Sequence, residues 1–382
     1  MTMGRTLLVT NDFPPTVGGI QSYLRDFVFY LDPAEIVVLA STQDAAAAAA
    51  WDAQVEYTVV RWPRRVMLPT PGLKAEMCRL IAQYDIDTVW FGAAAPLAVL
   101  GSAARAAGAC QVVATTHGHE VGWSMVPGAR QILRRIGASA DVITYISDYT
   151  LGRIRPALGT HPRYEPLPSG VDPELFHPLS EKERRQVRAR YGWGDEPLII
   201  CISRLVPRKG QDQLVRAMPR ILARHPEARL VLVGTGSYEK KLRALIDANS
   251  QASERIHLMG QCEFGEMRQL LAASDVFSMP ARTRGKGLDV EGLGIVYLEA
   301  QASGVPVVAG DSGGAPETVT EETGIVVDGR DIDSLVHAIV RLLDDDVLRS
   351  TMGQRGRAHV VQHWAWPIMA ARLQRILHSS SD

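Results

Sequence analysis

The sequence predicts an α/β protein of two tandem domains, each built around a doubly wound parallel sheet. Short apolar runs alternate with helical patterns along the chain, and the alternation starts again near residue 198 after a proline-rich stretch. The length of 382 residues is sufficient for two domains that each bury a core of their own. We therefore expect two sheets of similar architecture that face each other across a cleft.

Apolar runs bounded by turn residues predict the strands. In the first domain the predicted strands are residues 5–10, 36–40, 55–60, 88–91, 111–115 and 142–146. In the second domain they are residues 198–203, 230–233, 256–259, 276–279, 305–309 and 324–327. Helical patterns between several of these runs, beginning with residues 20–31, give the alternation that a parallel sheet requires.

The domain boundary is predicted in the segment 166–178, which is rich in proline and carries a glycine. We accordingly expect a first domain over residues 1–170 and a second over residues 171–365. The pattern at the end of the chain predicts a terminal helix, about residues 366–382, which is a candidate to pack back on the first domain.

Composition narrows the class of protein. The 41 basic and 42 acidic residues leave a net charge of −1, which gives no indication of a nucleic-acid partner. The four cysteines are far apart and lack C-x-x-C spacing, so we expect neither a zinc site nor a disulfide framework. This use of cysteine predicts a reduced cytoplasmic protein. The sequence offers neither a signal peptide nor the roughly 18 apolar residues of a membrane span. Any membrane contact is expected to be peripheral.

Two loops of the first domain contain candidate functional residues, since ligands of open α/β sheets bind beyond the carboxyl ends of the strands. The loop NDFPPTVGG places Gly18 and Gly19 before a helix, where missing side chains let a phosphate or sugar approach backbone N–H groups. A plain tight turn is the alternative. The loop THGHE contains His117, which can donate, accept or shuttle a proton near neutral pH. No third ligand with recognisable spacing supports a metal site there.

The first loop of the second domain, SRLVPRKG, contains Arg204 and Lys209. Two cations at a strand end beside a helix start suit a diphosphate, although a solvated basic turn has the same composition. No Asp-x-Asp comes directly after a predicted strand, so we expect these cations rather than a metal ion to neutralise a leaving diphosphate. The G-x-G at Gly234 and Gly236 lacks the third glycine of a dinucleotide fingerprint, and there is no P-loop.

The stretch ARTRGKGLDVEGLGIVYLEAQASG holds two carboxylates, Glu291 and Glu299, eight positions apart. Glycines make its first half a loop, whereas residues 295–302 have the apolar pattern of a helix. Glu291 then lies just before the first turn, and N–H groups near Gly294 and Ile295 point at whatever Glu291 faces. This geometry predicts a corner for a polar, partly anionic ligand; a glycine-rich surface loop before an ordinary helix is the alternative.

Taken together, the tandem domains, the N-terminal G-G loop, S-R-x-x-x-x-K-G and E-G-x-G-I-x-x-x-E-A resemble the retaining GT-B glycosyltransferases of family four over essentially the whole chain. More narrowly, NDFPP-x-x-GGIQSYLRD, ARTRGKGLDVEGLGIVYLEA and GDSGGAPETV look like the actinobacterial members that use GDP-mannose. The resemblance implies GDP-mannose as the donor, no separate cofactor, and a phosphatidylinositol monomannoside lipid as the acceptor. It also implies an acceptor-binding first domain and a second domain that binds the nucleotide sugar.

The resemblance further implies roles for single residues. Arg204 and Lys209 would bind the diphosphate and stabilise the departing GDP, Glu291 would contact the donor sugar, and His117 would touch that sugar near the reacting carbon. The other implied donor-binding residues, placed around phosphate, sugar, ribose and base, are Gly18, Gly19, Met259, Gly260, Gly294, Ile295 and Glu299. No metal ligand is implied. A different nucleotide sugar or glycolipid acceptor, a nicotinamide-dependent oxidoreductase and a binding-only relative are the alternatives.

A lipid acceptor would require peripheral attachment to the inner face of the cell membrane through anionic lipids. The first candidate surface is RWPRRVMLPTPGLK, with basic residues and apolar residues available to enter an interface: Arg61, Arg64, Arg65, Lys74, Trp62, Val66, Met67 and Leu68. The second is the basic helical pattern at residues 128–138, with Arg130, Arg134, Arg135, Ile132, Leu133 and Ile136. On the alternative interpretation the apolar residues of that helix face the core.

Overall fold

The structure is a computed structural model that describes residues 4–379. Residues 1–3 and 380–382, which the sequence prediction placed in the first domain and the terminal helix, lie outside the described residues. The chain divides into two compact units. The first domain runs to Ser169 and includes the segment that begins at Pro367, and the second runs from Gly170 to Trp366. Each contains one parallel sheet, which confirms the predicted α/β class.

The sheet of the first domain consists, within residues 4–379, of seven parallel strands. They are β1 (Arg5–Thr10), β2 (Ile36–Ser41), β3 (Thr58–Trp62), β4 (Ile86–Phe91), β5 (Gln111–Thr115), β6 (Val142–Tyr145) and β7 (Arg163–Pro166). Their order across the sheet is β3-β2-β1-β4-β5-β6-β7. The strand order reverses between β1 and β4, so a crevice for ligands is expected at the carboxyl ends of these two strands.

The helices that cover this sheet follow the strands in alternation. They are α1 (Gly19–Phe29), α2 (Ala45–Asp52), α3 (Pro71–Tyr84), α4 (Gly101–Ala106), α5 (Glu120–Met125), α6 (Pro127–Ser139) and α7 (Asp148–Leu158). Their apolar faces pack on the strands: in α3, for example, Leu73, Met77, Leu80 and Ile81 are buried at helical spacing. The loops after β1 and β5 carry the polar candidate residues of this domain, whereas the loop after β4 is apolar and buried.

The second domain repeats the same arrangement. Its strands are β8 (Leu198–Ile202), β9 (Arg229–Val233), β10 (Ile256–Gly260), β11 (Val276–Met279), β12 (Val307–Gly310) and β13 (Gly324–Val327). The order across the sheet is β10-β9-β8-β11-β12-β13, and every pair is parallel. The strand order therefore reverses between β8 and β11, the counterparts of β1 and β4.

Seven helices of the second domain, counted within the described chain, pack around this sheet. They are α8 (Glu181–Ala189), α9 (Gln211–Arg224), α10 (Glu239–Asp247), α11 (Phe264–Ala272), α12 (Ile295–Ala302), α13 (Ile332–Asp344) and α14 (Asp346–His363). At the amino edge, Asp275 accepts hydrogen bonds from the Leu198 backbone N–H and the Arg188 guanidinium, both at 2.7 Å. This buried carboxylate joins the starts of β8 and β11, the two strands at the reversal.

The C-terminal helix α15 (Trp366–His378) belongs to the first domain. Its last turn is fastened to the sheet, because Gln111 Nε2 donates to the Ile376 carbonyl at 3.0 Å and Thr88 Oγ1 donates to the Leu377 carbonyl at 3.0 Å. In the middle of the helix, the Arg372 guanidinium donates to the Pro166 carbonyl at 3.2 Å.

Two strands differ from the sequence prediction by more than two residues. The third strand was predicted at residues 55–60, but it pairs with β2 over Thr58–Trp62, which corrects its position. The seventh strand, β7, was missed because its sequence RYEP has no apolar run. It pairs only with β6 and lies at the edge of the sheet, where polar residues and a terminal proline are tolerated.

Candidate active site

The centre of the candidate site is an ion pair at the carboxyl edge of the second sheet. Lys209 follows β8 and Glu291 follows β11, and Lys209 Nζ lies 2.5 Å from Glu291 Oε2. The two side chains are only 11% and 9% exposed. The fold thus joins two residues that are 82 positions apart in the sequence. Their strands are the two at which the strand order reverses, the expected place for a ligand.

Close contact between the two loops holds Lys209 in place. Lys209 ends a short 3₁₀ turn, and Gly210 after it has a φ of +79°. A β-carbon at Gly210 would lie 2.0 Å from the Pro280 carbonyl oxygen, so only glycine allows the loops after β8 and β11 to approach this closely. Arg282, further along the second loop, donates two hydrogen bonds of 2.9 Å to the Asp212 carboxylate of α9.

The backbone of Glu291 is held by the glycine pair Gly313 and Gly314. The Gly314 N–H donates to the Glu291 carbonyl at 3.0 Å, and a β-carbon at Gly313 would lie 1.9 Å from that same oxygen. Helix α12 then starts at Ile295 after Gly294, whose φ is +86°. The helix start predicted from the sequence is therefore correct, and its first N–H groups lack acceptors within the helix.

The remaining predicted donor-binding residues of the second domain lie on the same edge. Arg204 follows β8, is exposed, and forms no ion pair with another residue between positions 4 and 379. Met259 and Gly260 are the last two residues of β10, two strands away from β8. An exposed guanidinium and a buried ammonium in the loop after β8, on the sheet edge where α12 also starts, are groups that attract an anion.

Glu299 lies in α12, eight positions after Glu291. Its side chain is largely buried, and no other described residue donates a hydrogen bond to its carboxylate. Burial without a compensating partner raises the pKa of Glu299 from 4.5 to about 7. A carboxylate in this state lacks the hydrogen bonds that hydroxyl donors of a ligand would supply.

The predicted residues of the first domain lie at the carboxyl edge of the first sheet. His117 follows β5, and its Nε2 lies 2.7 Å from the Gly92 carbonyl, so Nε2 carries a proton and donates there. The ring packs edge-on against Tyr23 of α1, the helix that begins at Gly19, with 4.9 Å between centroids. Burial is the main cause that lowers the pKa of His117, which keeps the imidazole neutral at pH 7.

Two carboxylates near His117 were missed by the sequence reasoning. Glu120 is fully buried and accepts hydrogen bonds from the backbone N–H groups of His117 and Gly118 at 3.1 and 3.0 Å. Asp12 accepts a hydrogen bond from Gln21 at 2.8 Å, and burial raises its pKa against the opposing effect of His117 and His119. Both belong to loops that the sequence had singled out, but only the fold shows which way their side chains turn.

The predicted lipid-facing surface needs several corrections. Met67 is fully buried in the core of the first domain, as are Leu133 and Ile136 of α6. Arg61 is not free for lipid either, because it forms an ion pair with Asp52 at 2.7 Å. Exposed residues do remain on both segments: Arg64, Arg65, Val66, Leu68, Lys74, Arg130, Arg134 and Arg135.

Two kinds of feature are absent from residues 4–379. None of the helices there combines the length and apolar character needed to cross a membrane. Nor does that part of the chain bring three or more His, Cys, Asp or Glu side chains together in a group able to hold a metal ion.

Comparison with known proteins identifies the family. The family described as Glycosyltransferase Family 4 matches residues 17–175, and the one described as Glycosyl transferases group 1 matches residues 183–359. A Corynebacterium glutamicum protein named GDP-mannose-dependent monoacylated alpha-(1-6)-phosphatidylinositol monomannoside mannosyltransferase is 57% identical over 98% of both chains. The chain belongs to glycosyltransferase family 4.

Other members of the family agree with this assignment. A Mycobacterium tuberculosis protein named GDP-mannose-dependent alpha-(1-6)-phosphatidylinositol monomannoside mannosyltransferase is 51% identical over 98% of both chains. Among solved structures, Anabaena HepE in complex with UDP is similar, with a TM-score of 0.80, 21% identity and coverage of 98% and 99% of the two chains. Sucrose-phosphate synthase from Thermosynechococcus elongatus has a TM-score of 0.77, 22% identity and coverage of 97% and 98%. These structural likenesses support the GT-B fold.

The raised pKa of Glu299 predicts that the stability of this glycosyltransferase depends on pH. Because folding raises the Glu299 pKa from 4.5 to about 7, the unfolded chain loses this proton first. The contribution of Glu299 to stability is therefore fully present below pH 4.5 and is lost as the pH rises through 7. We expect Glu299→Gln to be more stable than the parent at pH 8, by no more than about 3 kcal/mol, and to match it near pH 4.

Urea unfolding at pH 4 and pH 8 measures this difference, and the exposed Glu321→Gln variant controls for the change in net charge. An unchanged or lowered stability of Glu299→Gln at pH 8 would show that Glu299 does not carry an uncompensated charge.

Proposed function

We propose that this protein is a retaining α-mannosyltransferase that moves mannose from GDP-mannose to a phosphatidylinositol monomannoside lipid, and that it uses no separate cofactor. The observation that carries the proposal is the Lys209–Glu291 pair beside the free Arg204 at the reversal of the second sheet. The names of the relatives that are 51% and 57% identical support the same donor and acceptor.

The proposed chemistry follows from the charges at this site. The bond between the anomeric carbon and the diphosphate oxygen breaks, and negative charge grows on the departing GDP. Arg204 and Lys209 stabilise that charge, while Glu291 accepts hydrogen bonds from hydroxyls of the mannose. The acceptor hydroxyl attacks on the face that the diphosphate leaves, and its proton passes to a phosphate oxygen of GDP.

The ion pair supports this route over a covalent intermediate. Retaining glycosidases place two carboxyl groups about 5 Å apart across the bond, and one of them acts as the nucleophile. Glu291 is instead held by Lys209 at 2.5 Å, which makes it a weak nucleophile. A leaving phosphate can serve as the base because it gains negative charge as the bond breaks.

The other predicted residues complete the proposal. In the second domain, Glu299 accepts from ribose hydroxyls, the N–H groups near Gly294 and Ile295 assist at the sugar, and the end of β10 lies beside the base. In the first domain, the N–H groups at Gly18 and Gly19 approach the donor phosphate, and neutral His117 contacts the mannose. We further propose that the first domain binds the acceptor.

Arg204→Ala tests the diphosphate contact with little risk to the fold. Arg204 is exposed, so we expect an unchanged melting temperature. Turnover of GDP-mannose should fall 100- to 1,000-fold, since removal of one donor to a developing charge costs roughly 3–4 kcal/mol. Arg216→Ala, an exposed arginine on α9, is the matched control and should retain full turnover. Near-normal turnover by Arg204→Ala would contradict the assignment.

We also propose that turnover requires no divalent metal, because two cationic side chains occupy the position where a metal would neutralise the diphosphate. An excess of EDTA should leave the initial rate with GDP-mannose and a lipid extract unchanged. Loss of activity that magnesium or manganese restores would disprove this.

We propose that the protein attaches peripherally to the inner face of the cell membrane, because its acceptor is a lipid. The surface that fits this role consists of exposed cations beside exposed apolar side chains on the two segments already described. Val66 and Leu68 are 59% and 55% exposed on either side of the buried Met67, so this segment presents two apolar side chains from an anchored backbone. Cations near an anionic bilayer add about 1 kcal/mol each, which gives reversible attachment.

Vesicle co-sedimentation tests the surface. Binding should require anionic lipid and weaken with salt. It should fall at least tenfold when Arg64, Arg65, Arg134 and Arg135 are all changed to Gln, because each cation near the bilayer contributes about 1 kcal/mol to binding. A matched control changes four arginines of the second domain to Gln, so that both variants have the same net charge; these are Arg216, Arg220, Arg243 and Arg355. Equal binding by both variants would rule out this surface.

A further inference from the structure

The loop from Asn11 to Gly19, called here the glycine loop, is tied to a neighbouring segment through its first residue. Asn11 Nδ2 donates to the Met67 carbonyl at 3.0 Å, and the Met67 N–H donates to Asn11 Oδ1 at 2.6 Å. The Asn11 carbonyl in turn accepts from Ser41 Oγ at 2.8 Å. One carboxamide thus pairs with both polar groups of a residue that is buried in the core.

Arg61 provides a second tie, near the middle of the glycine loop. Its Nη2 donates to the Pro14 carbonyl at 2.7 Å and to Asp52 Oδ1 at 2.7 Å, and its Nη1 donates to the Ser41 carbonyl at 3.3 Å. The guanidinium also lies 5.9 Å from the centre of the Phe13 ring. Arg61 is only 14% exposed, so its donors are used inside the domain.

These ties matter because the glycine loop has few means of fixing itself. Pro14 and Pro15 lack backbone N–H groups, and Gly18 and Gly19 lack side chains. A loop that must present N–H groups to a ligand binds more tightly when it is ordered in advance, because less conformational entropy is lost on binding. The Asn11 side chain fastens the start of the loop to the Met67 backbone, and Arg61 holds the Pro14 carbonyl, so both ties lie away from the ligand-facing end at Gly18 and Gly19.

We propose that Asn11 and Arg61 are positioning residues of this glycosyltransferase, which hold the glycine loop in the form that receives the phosphate of the donor. The inference rests on the proposed contact of Gly18 and Gly19 with GDP-mannose. It gives Arg61 a role other than lipid binding, and it predicts that substitutions outside the donor site change the affinity for the donor.

The experiment measures KM for GDP-mannose, kcat and the melting temperature of the full-length protein. Arg61→Lys keeps a positive charge near Asp52 but cannot reach Pro14, Ser41 and Asp52 together. Asn11→Asp keeps the acceptor for the Met67 N–H but sets a carboxylate against the Met67 carbonyl. We expect each variant to raise KM for GDP-mannose about tenfold and to leave KM for the lipid acceptor within twofold of the parent.

Arg229→Lys is the matched control, because Arg229 is 18% exposed against 14% for Arg61, donates to Glu196 at 2.6 Å and contacts His257 Nε2 at 3.1 Å. It should lower the melting temperature about as much as Arg61→Lys does, with KM unchanged. A merely structural role for Arg61 would make the two lysine variants alike in KM, and that result would overturn the proposal.

Gly19→Ala separates this inference from the proposed function. A β-carbon at Gly19 would meet no atom within 4 Å, so the variant should fold normally and raise KM for GDP-mannose only if a ligand approaches there. An effect of Gly19→Ala without effects of Asn11→Asp and Arg61→Lys refutes the positioning role alone. No effect of Gly19→Ala refutes the donor contact of the loop, and the positioning role with it.

Discussion

The ion pair between Lys209 and Glu291 is the interaction on which the site of the second domain depends. Each charge is about nine-tenths buried, and either one alone would be costly to hold there. Together they fix the ends of the loops after β8 and β11, which glycine at position 210 lets approach one another. The pair therefore serves two purposes: it stabilises the junction of the loops, and it sets an ammonium and a carboxylate at one place where a sugar diphosphate offers both hydroxyls and negative charge.

The fold could be predicted from the sequence wherever burial produced a continuous apolar pattern. Strands such as β1 and β9, buried on both faces, have such runs, and α12 was predicted to its first residue because the glycines before Ile295 end abruptly. β7 was missed for the opposite reason: an edge strand with one neighbour needs no apolar run. The third strand was displaced because its position is set by pairing with β2, which the local pattern does not encode.

The site was harder to predict than the fold because its contacts span long distances in the chain. Motif spacing led to Glu291 and Lys209 separately, but only the order of strands explains why residues 82 positions apart meet. Side-chain direction was the second obstacle. Met67 and Arg61 were read as surface residues from a basic, apolar segment, yet the Met67 side chain is buried in the core between two exposed neighbours. Arg61 was misread because its partner Asp52 belongs to another element.

The two glutamates of the second domain that are proposed to bind the donor differ in how their negative charge is compensated. Glu291 is compensated by Lys209 in the free protein, whereas Glu299 is buried without a donor and its pKa rises to about 7. A ligand that brings hydroxyl groups to Glu299 would replace the water that burial removed, so part of its binding free energy would come from relief of that desolvation. A ligand would stabilise Glu291 less in this way, because Lys209 already compensates its carboxylate. Glu291 instead offers a carboxylate that Lys209 holds in a fixed position. The two proposed ligand-binding carboxylates thus differ: Glu291 is preorganised, whereas Glu299 would be stabilised in its charged form by a ligand.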